Sequence, residues 1–233
     1  MTQHIGIVGC SAEGAALCYR TICSEGERLL GAHAHPEVSM HTPSFAAYVR
    51  LLEQGDIEGV GALMLDSAHR LSSAGADFLI CPDNTIHQAL PFVLPRTPLP
   101  WLHIAAVVAG EASHRGYRRV GLMGTRWLVD SEVYPAHLTG AGVECIRPTP
   151  DDRDAVARVI MDELVRGVST PDGVATLQRV IDRLERAGCD AVVLGCTELP
   201  IVLDDANSSL PTLDSTRLLA RAALRRAVEP AGR

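Results

Sequence analysis

The chain has no lysine: all 21 of its basic residues are arginine. A pyridoxal phosphate enzyme needs a lysine for its Schiff base, and a Walker-A phosphate loop needs one too, so both classes are excluded. No apolar run reaches transmembrane length. Basic residues do not outnumber acidic ones, and the net charge is −7. Such a chain lacks the electrostatic footprint for nucleic acid or an anionic membrane surface, so small-molecule chemistry is favoured. Seven cysteines, at 10, 18, 23, 81, 145, 189 and 196, include no Cys-x-x-Cys pair. They read as free cytosolic thiols. The first residues lack a cationic leader and enter Ile5-Gly6-Ile7-Val8 at once, as a first strand would, so a cytoplasmic location is expected.

What is present suits a compact α/β body. At 233 residues and 47% hydrophobic composition, the chain can fill one large core or two lobes of about 110 residues. Its hydrophobic runs are too continuous for half-exposed antiparallel strands and alternate with helical patterns, which implies parallel sheets covered on both faces. Strands are predicted at 4–9, 37–41, 77–81, 101–103, 118–123, 143–146 and 190–195. Helices are predicted at 12–25, 43–53, 57–74, 84–91, 104–116, 131–140, 151–166, 172–187, 198–203 and 215–227. Pro91, Pro95, Pro98 and Pro100 place a lobe boundary near 92–100.

Two stretches repeat each other in pattern. Gly75-Ala76-Asp77 leads through an apolar strand to Cys81-Pro82-Asp83-Asn84-Thr85, and Gly188-Cys189-Asp190 leads through another to Gly195-Cys196-Thr197-Glu198. Asp83 falls where Cys196 sits. The first strands repeat too, with Ile5-Gly6-Ile7-Val8-Gly9-Cys10-Ser11 echoed by Val120-Gly121-Leu122-Met123-Gly124-Thr125-Arg126. The offsets, 115 and 113 residues, nearly agree. Four loops at the carboxyl ends of parallel strands are thereby marked, which is where open α/β sheets bind ligands.

Those motifs resemble the aspartate/glutamate racemase superfamily, which includes hydantoin racemases, maleate isomerases and arylmalonate decarboxylases. The matching segments are Pro82-Asp83-Asn84-Thr85-Ile86-His87, Gly195-Cys196-Thr197-Glu198, Gly121-Leu122-Met123-Gly124-Thr125-Arg126 and Asp214-Ser215-Thr216-Arg217. The resemblance implies two pseudo-symmetric flavodoxin-like lobes, each a parallel sheet covered by helices, with the active site in the cleft between them. It divides the chain into an N-terminal lobe of 1–97 with 210–233 and a C-terminal lobe of 98–209. It implies acid–base chemistry beside a carboxylate without cofactor or metal, and a homodimer. Where the family has Cys-Asn-Thr in the first lobe and Cys-Thr in the second, this chain has Asp83 at the first position. Cys81, two residues earlier, ends a strand and is not read as a displaced nucleophile. Leu219 stands in place of a family histidine, and Cys10-Ser11-Ala12-Glu13 in place of a Gly-Met-rich loop.

Racemisation removes a proton from one face of the α-carbon and returns one to the other, so it needs an acid and a base that exchange roles. A thiol titrates near 8.5 and an aspartic acid near 3.9, so Asp83 is the weaker base by roughly 6 kcal/mol of proton affinity. Burial recovers part of that difference. Asp83 and Cys196 are therefore expected to form an asymmetric catalytic pair. Cys196 is expected to open a helix, whose N-terminal dipole favours the thiolate. Locally, Asp83 also suits a turn or an N-cap before Asn84.

Ser11, Asn84, Thr85, Thr125 and Thr197 lie on the marked turns as expected substrate-carboxylate contacts, each also suited to capping. Arg126 is a candidate partner for a second acidic group, or a solvated surface residue. His41 ends a predicted strand and is a further substrate contact; His87 is read as supporting Asn84. His33, His35 and His41 lack nearby ligand partners and are not read as a metal site. Polar donors suggest an acidic amino acid such as aspartate or glutamate, whereas Phe92, Trp127, Leu128 and Leu219 would make an apolar pocket. The leading expectation is a cofactor-independent racemase or epimerase. Its alternatives are a decarboxylase or isomerase relying on Cys196 alone, and a non-catalytic binder of small carboxylates.

Overall fold

The computed structural model describes residues 2–229. Their elements are β1 (Ile5–Val8), α1 (Ala12–Leu30), β2 (Val38–His41), α2 (Phe45–Glu53), α3 (Ile57–Ser73), β3 (Phe78–Ile80), α4 (Leu90–Val93), β4 (Trp101–Leu102) and α5 (Ile104–His114). There follow β5 (Arg119–Met123), α6 (Arg126–Val129), α7 (Val133–Gly140), β6 (Glu144–Ile146), α8 (Pro150–Arg158), α9 (Pro171–Arg186), β7 (Ala191–Leu194), α10 (Leu199–Val202), β8 (Thr212–Asp214) and α11 (Ser215–Val228). Two four-stranded sheets result, ordered β2-β1-β3-β4 and β6-β5-β7-β8, with every pairing parallel. Helices cover them, so the expected α/β architecture of two like halves is what the chain forms.

Two compact units contain these sheets, the described residues up to 104 with those from 216 onward, and residues 105–215. In the first, Ile5, Ile7, Phe78, Leu79 and Ile80 are fully buried, and α3 packs on β1 and β2. The returning helix α11 is tied to this unit by Arg221, whose guanidinium donates to both oxygens of Glu25 on α1 at 2.8–3.0 Å. The ion pair holds the Glu25 carboxyl below its ordinary range. In the second unit Met123, Val192 and Leu194 join Ile160, Leu177, Val180, Ile181 and Leu184 in one apolar cluster.

The Gly-x-Asp repeat has a physical role in both units. Gly75 and Gly188 follow α3 and α9 at φ +91 and +84, the left-handed region that ends a helix at little cost to glycine. Asp77 then accepts the His4 backbone N–H at 2.6 Å while its own N–H donates to the His4 carbonyl at 2.8 Å. Asp190 does the same at the other sheet, accepting from Arg118 and Arg119 N–H at 2.6 and 3.0 Å and donating to the Arg119 carbonyl at 2.7 Å. Each aspartate clasps the entry of one central strand to its neighbour. The register beyond carries the sequence offset: Ile7 pairs with Ile80, and Leu122, 115 residues on, pairs with Val193, 113 residues on.

Three local expectations are corrected. The strand β8 was not expected; its three residues include one fully buried side chain, Leu213, too few for a hydrophobic run. The helix predicted over 151–166 is α8 only to Arg158, then a π-helical turn over Val159–Glu163 and a 3-10 turn over Leu164–Arg166, closed by Gly167 at φ 72. There the Glu163 carboxylate turns to accept from the Thr170 N–H and hydroxyl, an interaction outside any helix period. The helix predicted over 84–91 is a 3-10 turn, Thr85–Ala89, running into α4.

The N–H groups of Arg118 and Arg119 hold the Asp190 carboxyl below its ordinary value. Its stabilisation is therefore complete above about pH 3.9 and is lost as pH falls through the lower folded value. Asp77→Ala and Asp190→Ala are each expected to lower the unfolding free energy by about 0.5–1 kcal/mol, the low end for a hydrogen bond whose donor can still turn to water. Urea titration measures this, and the gap between wild type and Asp190→Ala should shrink in acid below that range.

Candidate active site

In the first unit, the carboxyl ends of β1, β2 and β3 bring together Ser11, His41 and Asp83. Asp83 is half-buried, and its Oδ2 accepts the Ser11 backbone N–H at 2.7 Å. Ser11 is the N-cap of the 19-residue α1, its Oγ accepting from Gly14 N–H at 3.2 Å. A carboxylate at that position meets a backbone donor and the positive end of a long helix. Asp83 does not cap the turn that follows it; Asn84 occupies that cap.

The Asp83 backbone is fixed independently of its side chain. The Asp83 carbonyl accepts from His87 Nδ1 at 2.8 Å and from the Cys81 thiol at 3.8 Å. The other ring nitrogen, Nε2, accepts the Ile104 N–H at 3.4 Å, which assigns the Nδ1–H tautomer, and the ring lies 4.7 Å from that of His103. His87 thus braces the Asp83 backbone as well as bonding to Asn84. Asn84 and Thr85 are buried, their carbonyls accepting from His87 N–H and the Gln88 amide.

His41 ends β2, and its Nδ1 pairs with the Ser67 hydroxyl at 2.9 Å, which itself donates to the Leu63 carbonyl. Nearby, Tyr48 of α2 is fully buried, with Ser67 beside it and no hydrogen bond of normal geometry to its hydroxyl. Burial, then the neighbouring Cys81, Cys10 and Asp83, keep this phenol neutral. No sequence signal marks Tyr48, since an aromatic residue on an amphipathic helix reads as core. Burial pushes the Cys81 thiol well above its ordinary value, and the Asp83 charge adds to that. Among the described residues, no three His, Cys, Asp or Glu side chains gather as metal ligands would.

In the second unit, Cys196 and Thr197 follow β7. Gly195 precedes them because a Cβ there would meet Leu128 Cδ2 at 2.7 Å and the Met123 carbonyl at 2.8 Å. Leu128 is therefore wedged against this backbone as core, and Leu219 is likewise fully buried. Cys196, 8% exposed, belongs to the apolar cluster of the unit. Its thiol donates to Glu198 Oε2 at 2.9 Å, and the same oxygen accepts from Thr197 Oγ1 at 2.8 Å. Glu198 is 6% exposed.

The expectation that Cys196 opens a helix is corrected: α10 starts only at Leu199 and lasts four residues, too short for a strong dipole. Glu198, passed over in the sequence as part of a helix start, is the group the thiol meets. A carboxylate two residues after a candidate nucleophile was the available signal. Thr125 caps α6 through its Oγ1, which accepts the Leu128 N–H at 3.3 Å. Arg126 is exposed and bonded to Asp154. With Asp151, Arg158, Met161 and Asp162 they line an open surface cavity of about 600 Å³.

Two parallel α/β units each place an ionisable side chain, Asp83 or Cys196, just past an equivalent strand. Residues 6–223 match the model of the Asp/Glu/Hydantoin racemase family, and the chain belongs to that family. It is an isomerase of the racemase class. The chain is 27% identical over 161 residues to the broad specificity amino-acid racemase RacX of Bacillus subtilis, 68% of each protein. A crystal structure of a candidate Asp/Glu racemase from Yersinia pestis superposes at TM-score 0.90 with 30% identity, covering 97% of this chain and 100% of that one. An aspartate racemase homologue from Pyrococcus horikoshii superposes at 0.84 with 26% identity, covering 98% and 100%. No helix among the described residues is long and apolar enough to cross a membrane.

The buried Cys81 thiol is expected to be dispensable for proton chemistry. Cys81→Ala should retain α-proton exchange within severalfold, and iodoacetamide at neutral pH should label partly exposed Cys23 before Cys81, as peptide mapping would show.

Proposed function

We propose that the protein interconverts amino-acid enantiomers by moving the α-proton between Asp83 and Cys196, which act on opposite faces of the α-carbon. The observation that carries this reading is the equivalence of the two positions. Each follows one of the register-matched strands β3 and β7, and each is an ionisable side chain on the turn just beyond its strand. A lysine Schiff base has no part in it, since the chain has no lysine. Deprotonation beside a carboxylate needs that carboxylate held, and Ser11, Asn84, Thr85, Thr125 and Thr197, with His41, are the groups assigned to hold it.

The substrate is proposed to be an acidic amino acid such as aspartate or glutamate. The support is the likeness to an aspartate racemase homologue at 26% identity. Arg126 would reach a second carboxylate only by leaving Asp154, a rearrangement that an exposed ion pair permits at small cost. The homodimer and the cytoplasmic location implied by the resemblance and by the free thiols belong to the same reading.

Incubation in heavy water with a panel of amino acids, followed by mass and chiral analysis, tests it. Wild type should exchange the α-proton and lose optical purity. Asp83→Asn and Cys196→Ala should each lower the rate by about 10²–10⁴-fold, as loss of a general acid or base does. Asp83→Cys, which restores a thiol at the first position, should keep activity. Undiminished exchange in Asp83→Asn removes Asp83 from the mechanism. Release of carbon dioxide from a disubstituted malonate that survives Asp83→Ala would replace racemisation with decarboxylation by Cys196.

A further inference from the structure

We propose that Glu198 is a positioning residue that keeps Cys196 in its thiol form, so that the resting enzyme carries its acid at Cys196 and its base at Asp83. This deepens the acid–base reading above and rests on it. The thiol donates to Glu198 Oε2, and Thr197 Oγ1 donates to the same oxygen. An oxygen taking two donors is best served as a carboxylate. Ionising the thiol would break one of these bonds and leave two negative groups 2.9 Å apart inside the unit. The shared proton therefore stays on sulfur.

Asp214 ends β8 opposite Leu194, Arg126 is held by Asp154, and Tyr134 is kept neutral by burial while bonded to Ser215. The first unit is set the opposite way. Asp83 accepts a backbone N–H at the start of α1, which favours its ionised form.

The proton inventory then has a direction. In the forward step the substrate Cα–H bond breaks, its proton passes to an Asp83 oxygen, and the electron pair moves into the adjoining carboxylate. The Cys196 S–H bond next breaks, and its proton forms the new Cα–H bond on the other face. The enzyme is left with Asp83 protonated and Cys196 as thiolate beside the Glu198 carboxylate. It regains the resting form by returning a proton from Asp83 to sulfur through water, or by running the reverse reaction. Because enantiomers have equal free energies, kcat/KM for the two must match, and the asymmetry lies in which protonation form of the free enzyme dominates.

The test reads the thiol without using a substrate, so it can fail while racemisation stands, and the reverse. Cys196 alkylation by iodoacetamide is followed by peptide mapping across pH in the full chain, with circular dichroism reporting the fold. Glu198→Gln should move the midpoint of Cys196 alkylation down by about one pH unit or more, making alkylation about tenfold faster at neutral pH. Glu198→Asp, which keeps the charge, should stay near wild type. If Glu198→Gln does not fold, Thr197→Val serves instead: loss of the second donor should shift the proton toward Glu198 and speed alkylation. A midpoint that stays put or rises in the folded variant overturns the proposal, and shows Glu198 to be inert or a promoter of the thiolate.

Discussion

The structure depends on a carboxylate placed where a central strand begins. Asp77 and Asp190 each exchange hydrogen bonds with the backbone entering β1 or β5, locking the third strand of each sheet to the first before the buried run starts. In a parallel sheet a slip of one residue turns every side chain to the other face, so register must be set by something local. Here the clasp sets it at one end and the functional turns emerge at the other. Asp83 reaches Ser11 because Ile80 stands opposite Ile7. Cys196 follows β7 after the matching pair in the second unit.

That arrangement explains what was legible in the sequence. Strands β1, β3, β5 and β7 are buried apolar runs bounded by glycine, proline or a polar turn, and the Gly-x-Asp pattern repeats because its geometry repeats. The strand β8 was hidden because it contributes little more than Leu213 to the core. The break after Arg158 was hidden because Glu163 obeys a side-chain bond to Thr170 and not a helical period. Short segments governed by single polar contacts leave no periodic trace.

The same distinction applies at the candidate site. The positions of Asp83 and Cys196 could be read because strands lead to them. Their surroundings could not, because these depend on which side chain turns toward which. The sequence puts His87 beside the turn, but the ring's link from the Asp83 carbonyl to the Ile104 N–H joins residues far apart in the chain and leaves no local pattern. Glu198 reads as a helix start by position, and an aromatic residue such as Tyr48 on an amphipathic helix reads as core.

The proposed use of a carboxylate with a thiol is a poor match for a reaction that must run both ways, because the two groups differ so widely in proton affinity. The local contacts change the terms of that mismatch. A backbone donor and the start of α1 suit Asp83 to be charged, and a second carboxylate suits Cys196 to keep its proton. Both preferences push the pair further from symmetry, toward one resting arrangement in place of two. Under the proposed mechanism, Asp83 in place of a thiol sets which side begins as base, and the neighbouring carboxylate of Glu198 sets which side begins as acid. The expense falls on the return step, where protonated Asp83 and the Cys196 thiolate must exchange a proton before the same direction can run again.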